Sequence, residues 1–368
     1  MRAGRAARVM DRIASHREGV RTFGVSAVAL AALMAIVVGA GGHSAGAALR
    51  ALWEGSFGDW YALTSATLVR TTPLILTGLG VTLAFRAGVW NIGAEGQLLA
   101  GAAAAAIVAL GMAPSLGAGA LPLALAAGAA GGAIWAGVAA LLRQRYGVLE
   151  VISTIMLNFI AAYLVGYLVR GPLQEGSHIY PQSSTLAPVV QLPRLIAGSR
   201  LHWGLIAALA AAPAMWWGLA WSAAGFRVRV VGGNPDAARS AGEIDVPRVR
   251  TRAFLLSGAF AGFAGAVQLT GVTFALYEDL SPGYGFTAIA VALLARLNPL
   301  AVVPAAILFA GLESGALAMQ RDAGIPSVTV SIVEGALILL ALATWAGSPS
   351  APSSFFRRSA RPDGERST

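Results

Sequence analysis

Long apolar runs alternate with short polar connections along almost the whole chain. They fall at residues 23–41, 62–85, 95–111, 120–142, 148–169, 203–222, 253–272, 283–297, 299–319 and 327–346. A helix rises about 1.5 Å per residue, so roughly 20 apolar residues span a hydrocarbon core of about 30 Å. Most runs meet that length. The runs at 95–111 and 283–297 fall short of it and predict half-helices or re-entrant segments. The pattern predicts an all-α, polytopic membrane protein with about eight to ten transmembrane helices, some short or broken.

One run carries polar groups where lipid would not tolerate them. Between Thr71 and Ala104 the apolar sequence is interrupted by Arg86, Asn91 and Glu95. A charged side chain at the bilayer centre costs roughly 2.5–3.5 kcal/mol, so such residues face protein or a water-filled path. Glycines at 88, 93 and 96 weaken a continuous helix in the same place. The segment reads as a broken, inward-facing element. Asn91, Glu95 and Gln97 supply donors and acceptors that suit a polar solute, or that cap the next helix and pin it to its neighbours. Asn158, with Ser153 and Thr154 a turn earlier, has the same two readings, route lining or interhelical hydrogen bonding. Glu150 is placed to pair with Arg143 or Arg145. Glu313 and Glu334 lie in apolar spans and are functional candidates for that reason. Phe274, Tyr277, Tyr284 and Phe286 flank a second glycine-containing break, as a stacking platform or an interfacial belt. The pieces 75–88 and 254–267 are both small-residue helices followed by such breaks, as an internal repeat or alanine-rich composition would leave them.

Composition narrows the class. Hydrophobic residues make up 57% of the chain and charged ones 12%, with a mean hydropathy of +0.69, far from a soluble domain. There is no cysteine, which removes disulfides and thiolate sites. All 26 basic residues are arginine. Without lysine there is no phosphate-binding P-loop and no Schiff base, so the chain is no P-loop ATPase by itself. Histidines 16, 43, 178 and 202 are scattered, so neither a metal site nor a hydrolase triad is expected.

The net charge of +9 belongs to loops and the membrane surface, not to nucleic acid. Six arginines precede Phe23, and the apolar run that follows is long enough to span, which favours an uncleaved tail over a signal peptide. With ten crossings, twenty arginines face the cytoplasm; Arg50, Arg70, Arg170, Arg194, Arg200 and Arg321 face out. Both termini are then cytoplasmic: a tail at 1–22, a transmembrane domain at 23–346 and a tail at 347–368. Two loops are long, an outer one at about 170–202 and a cytoplasmic one at about 223–252. In the latter Asn234 is a good N-cap, Pro235 fits the first helical position, Asp236 the first turn, and Gly242 the end. The spacing predicts a short surface helix.

FRAGVWNIGAEGQLLAG at 85–101 resembles the signature of permease subunits of nucleoside and simple-sugar ABC importers, within the group of ribose and branched-chain amino-acid permeases. The resemblance continues at 148–161, 232–244, 254–271 and 281–316, nearly the whole chain outside the tails. It implies a transmembrane subunit in a bacterial plasma membrane that pairs with a second permease, identical or paralogous. Two cytoplasmic ABC ATPase subunits would use the ATP, this chain would bind no cofactor, and an extracytoplasmic solute-binding lipoprotein would deliver the solute. It also implies a route past Asn91, Glu95, Gln97, Asn158 and Glu313. Gly233, Asn234, Pro235, Asp236, Ala238, Arg239 and Gly242 would form the helix that couples to the ATPase. The alternative is a secondary transporter driven by an ion gradient, for which Glu95, Glu313 and Glu334 would supply carboxylates.

Overall fold

The computed structural model describes residues 44–332 except 241, 243 and 327, together with residues 32, 35, 36, 38, 39, 42, 335 and 336. Both tails, most of the runs at 23–41 and 327–346, and Glu334 lie outside the described residues. Ser44 caps α1 (Ala45–Trp53) by accepting from the Ala47 amide at 3.4 Å. Two wide π-turns, Glu54–Gly58 and Ala62–Thr67, lead into α2 (Leu68–Arg86). A break at 87–93 precedes α3 (Ala94–Leu116), and a tight turn at Gly117–Gly119 joins it to α4 (Ala120–Tyr146). Then come α5 (Glu150–Arg170), a long connection, and α6 (Gly204–Trp221). Short helices α7 (Ala223–Gly233) and α8 (Pro235–Ser240) precede α9 (Val246–Gln268) and its π-turn Leu269–Thr273. After a second break come α10 (Tyr284–Leu294) and α11 (Pro299–Ala323).

Among the described residues, six helical stretches are long and apolar enough to cross a membrane. One of them, Ala94–Tyr146, is 53 residues long and folds back on itself. Its halves α3 and α4 lie side by side: a methyl group on Gly131 would sit 2.7 Å from the Ala104 Cβ and 3.1 Å from the Ala100 carbonyl oxygen. The run expected to be a half-helix, 95–111, is therefore a full-length helix. α3 has 23 residues, about 35 Å, because it continues through Met112, Pro114 and Leu116. α10, with 11 residues, is the short one.

Among the described residues, 59–311 form one compact unit, and those before 59 together with those after 311 form the other. In the first, α3, α4 and α9 meet where no side chain fits. A methyl group on Gly132 would sit 2.6 Å from Gly262 Cα, and one on Gly128 3.0 Å from the Gly262 carbonyl oxygen. Lipid offers no hydrophobic drive for helices to associate, so small residues that permit close backbone contact supply the packing attraction. In the second unit, the later part of α11 uses the same device against α1 and its π-turn. Gly315 leaves room for the Leu52 carbonyl oxygen, which a methyl group would approach to 2.6 Å.

Candidate functional site

Gly88 is the pivot of the first break. It sits at φ +73°, a left-handed conformation that favours glycine, just beyond the last turn of α2. Its amide donates to the Phe85 carbonyl at 3.0 Å, and the Val89 amide to the Ala84 carbonyl at 3.0 Å. This is the paired Schellman closure of a helix end. The Phe85 and Trp90 rings, 5.0 Å apart, pack across the turn. α10 ends the same way: the Arg296 and Leu297 amides donate to Leu293 and Ala292, with both residues at positive φ. Non-glycine residues pay about 1–2 kcal/mol each for that backbone. Arg86 ties the two closures together, its Nε donating to the Leu297 carbonyl oxygen at 2.6 Å.

The chain beyond Gly88 is held by its own amides. Asn91 is fully buried. Its Nδ2 donates to Gln97 Oε1 and Ser257 Oγ, both at 2.8 Å. Its Oδ1 accepts from the Gly93 amide and Gln97 Nε2, both at 3.0 Å. Every donor and acceptor position of the amide is engaged. Asn158 on α5 clamps the same segment: Oδ1 accepts from the Gly96 amide at 2.8 Å, and Nδ2 donates to the Ile92 carbonyl at 2.9 Å. The polar set at 91–97 and 158 thus satisfies the backbone groups that the break frees.

Glu95 is different, because it faces two helix starts. It lies in the first turn of α3, and its Oε2 accepts from the Gly285 amide at 2.6 Å in the first turn of α10. The Ser281 hydroxyl hydrogen-bonds to the same carboxyl. Ser281 Oγ in turn accepts from the Gly283 and Tyr284 amides at 3.3 and 3.1 Å, so it caps α10. Gly285 has no room for a side chain, since a methyl group would collide with the Glu95 backbone. Two helix N-termini, each with roughly half a positive charge, therefore meet around one carboxylate. Glu95, Asn91, Gln97 and Asn158 are brought into one cluster. Glu313 is a half-buried residue of α11 in the other compact unit.

The connection between α6 and α9 holds two short helices, where only the second was expected. Ser222 caps α7, accepting from the Gly225 amide at 3.0 Å, and α7 runs to Gly233. The serine before an apolar-basic run was a signal that could have revealed this helix. Asn234 then caps α8, its Oδ1 accepting from the Asp236 and Ala237 amides at 3.1 Å. Pro235 takes the first helical position, Asp236 pairs with Arg239 at 2.8 Å, and Gly242 follows at φ +73°. Ala238 is buried against Val231 and Val246, while Gly233, Asn234, Asp236 and Arg239 stay exposed. This segment touches the first break directly. A methyl group on Gly232 would collide with the Arg86 carbonyl oxygen, and Arg250 NH2 lies 3.4 Å from where one on Gly88 would stand.

The model of a family described as branched-chain amino acid transport system / permease component matches residues 63–342. The chain belongs to this permease family. The guanosine ABC transporter permease protein NupP of Bacillus subtilis (strain 168) is 39% identical over 318 residues, 85% of this chain and 90% of that one. The glucose ABC transporter permease protein TsgB13 of Haloferax volcanii is 41% identical over 302 residues, 79% and 76% of the two chains. The nucleoside ABC transporter permease protein NupB of Lactococcus lactis subsp. cremoris (strain MG1363) is 33% identical over 281 residues, 74% and 77% of the two chains.

The permease braces its second break from the opposite end of the helices. The connection after α5 runs beside residues 270–277: the Leu192, Leu186 and Ser183 amides donate to the Thr270, Phe274 and Leu276 carbonyls at 2.7–2.8 Å. Arg170 closes the corner on Glu278, at 2.7 and 2.9 Å. His202 lies under this strap, its Nδ1 accepting from the Gly204 amide at 3.2 Å. Gly271 leaves room for its ring, with a methyl group there 2.8 Å from the imidazole. His202 Nε2 has no hydrogen-bond partner among the described residues, and burial pushes the imidazole down to about 4. Glu150 pairs with Arg143. Among the aromatics, Tyr284 is buried and Phe286 exposed. No group of three or more potential metal ligands occurs among the described residues.

Proposed function

We propose that this permease is the membrane subunit of an ATP-driven importer for nucleosides or simple sugars in a bacterial plasma membrane. Both of its termini and the 223–252 loop face the cytoplasm, as the arginine distribution favours. ATP hydrolysis takes place on a separate ABC ATPase, since this chain has no lysine for a P-loop. A second permease, identical or paralogous, completes the route, and a solute-binding lipoprotein delivers the solute to the 171–203 face.

The contact between Gly232 and the Arg86 carbonyl carries the mechanism. α8 is a capped, exposed helix suited to a groove on the ATPase. The last turn of α7, which runs into α8 through Asn234, rests on the end of α2, where the break at 87–93 begins. A rigid-body push on α8 is therefore delivered to the break, to Glu95 and to the start of α10 without passing through a flexible loop. The substrate class rests on the relatives named for guanosine, nucleosides and glucose. Glu95 binds two helix starts, so its carboxyl is engaged in structure, which favours this reading over an ion-driven relay.

The test is uptake into proteoliposomes holding the permease with its ATPase, second permease and binding protein. Labelled guanosine, uridine and glucose are offered with and without ATP. Uptake of one class that requires ATP supports the proposal and names the substrate. Uptake by this chain alone, abolished by an ionophore and indifferent to ATP, would overturn it in favour of a secondary transporter. Replacing Glu95 by alanine is expected to lower uptake more than Glu95→Gln, which keeps an acceptor for the Gly285 amide.

A further inference from the structure

A groove of about 550 Å³ opens between α6, α7 and α9. Its walls are apolar, with Met215 and Leu219 on one side and Leu256 and Phe260 on the other. Ser222 also lines it, but its hydroxyl already donates to the Gly218 carbonyl at 2.6 Å and accepts from the Gly225 amide. The charged groups of the lining are Arg227 on α7 and Arg252 on α9, both exposed. Neither pairs with a carboxylate among the described residues, whereas Arg143, Arg239 and Arg248 nearby do. Gly225 packs so closely on Gly218 and Leu219 that a side chain would collide there, and this sharp corner folds α7 back towards the groove.

The position along the membrane agrees with the charge. α6 and α9 belong to stretches long and apolar enough to span, and both arginines lie at the end joined by α7 and α8. At that end α6 exposes Trp216, Trp217 and Trp221, and α7 exposes Phe226. Such aromatics sit at headgroup level. An apolar furrow that ends at headgroup depth in two guanidiniums with no carboxylate partner among the described residues matches one kind of occupant. An apolar protein helix laid in the furrow would bury both cations without a counter-charge, at a large desolvation cost. A phosphate diester offers the oxygens that guanidinium forks bind in pairs, while its acyl chain fills the apolar part.

We propose that the groove holds an anionic phospholipid of the leaflet beside the basic loop, its acyl chain between α6 and α9 and its phosphate between Arg227 and Arg252. The site stands on α7, which runs directly into the α8 segment.

The test is native mass spectrometry of the full complex titrated with dioleoylphosphatidylglycerol or dioleoylphosphatidylcholine. The Arg227→Gln/Arg252→Gln variant is expected to bind the phosphatidylglycerol about tenfold more weakly, and to lose less affinity for the phosphatidylcholine, whose phosphate is already neutralised by its own trimethylammonium. The Arg227→Lys/Arg252→Lys variant should recover most of that loss. Ala214→Trp fills the furrow with both arginines in place, so it also lowers phosphatidylglycerol binding and serves if the first variant does not assemble. Equal phosphatidylglycerol binding by wild type and variants would overturn the proposal. So would an equal fall for both lipids in the Arg227→Gln/Arg252→Gln variant, or a cross-link from a Met215→Cys variant to a partner chain in the assembled complex.

Discussion

Asn91 shows what a polar residue does inside this membrane protein. Its amide makes four hydrogen bonds within the fold, to Gly93, Gln97 and Ser257. Asn91→Ala strands those partners, and a buried group left unpaired costs about 1–3 kcal/mol. A clear drop in the melting temperature of the detergent-solubilised permease is the expected result. The polarity of Asn91 and a pinning role as one of two readings were visible in the sequence, but its partner was not, since Ser257 lies 166 positions away. Glu95 is the same case, with Gly285 a further 190 positions along the chain. His202 gives a pH dependence of definite sign. Its imidazole is held neutral by burial down to about 4, against about 6.5 in the unfolded chain. Between those values the unfolded state binds more protons, so stability falls as pH drops through that window. The expected loss is on the order of 3 kcal/mol, read from melting temperatures between pH 7 and 4. His202→Gln should flatten the profile.

Short elements in this chain survive only through their ends. Six residues cannot hold a helix alone, so α8 depends on the Asn234 cap, the Asp236–Arg239 pair and the burial of Ala238. Loss of such a cap typically costs about 1 kcal/mol. Asn234→Ala is expected to leave the complex assembled and to reduce solute uptake per ATP hydrolysed, measured together in vesicles. This start was legible because asparagine followed by proline writes it out, and Asn298–Pro299 at the head of α11 repeats it, with Asn298 Oδ1 accepting from the Leu300 amide. α7 was not legible in the same way: its arginines and glycines resemble a loop until Ser222 is seen to cap it. The full length of α3 was hidden because Gly111 and Pro114 interrupt the apolar pattern without interrupting the helix. Where helices cross, glycine is the requirement. Gly262→Ala pushes a methyl group into the α4 backbone, and overpacking of this kind costs about 1–3 kcal/mol or more. Much less folded permease should be recovered from membranes.

At the scale of the whole molecule, the hydrophobic pattern alone gave the class, and the described spans agree with it. The pattern could not show that, among the described residues, 59–311 form one compact unit and those on either side of it another, because that division depends on contacts far apart in sequence. Nor could it show that the α8 segment, the first break and the start of α10 abut. Each of those contacts is made by a glycine, Gly232 or Gly285, whose lack of a side chain says nothing about its neighbour. Force applied to the exposed helix is passed along that continuity to a buried carboxyl group shared by two helix ends. The most direct test of that transmission replaces residues 234–242 with a flexible glycine–serine linker and measures ATP-driven uptake of the labelled solute by the assembled complex. Uptake at background level, with the complex intact and the ATPase still hydrolysing ATP, is the expected result. Unchanged uptake would contradict it, because the force would then reach the route without α8.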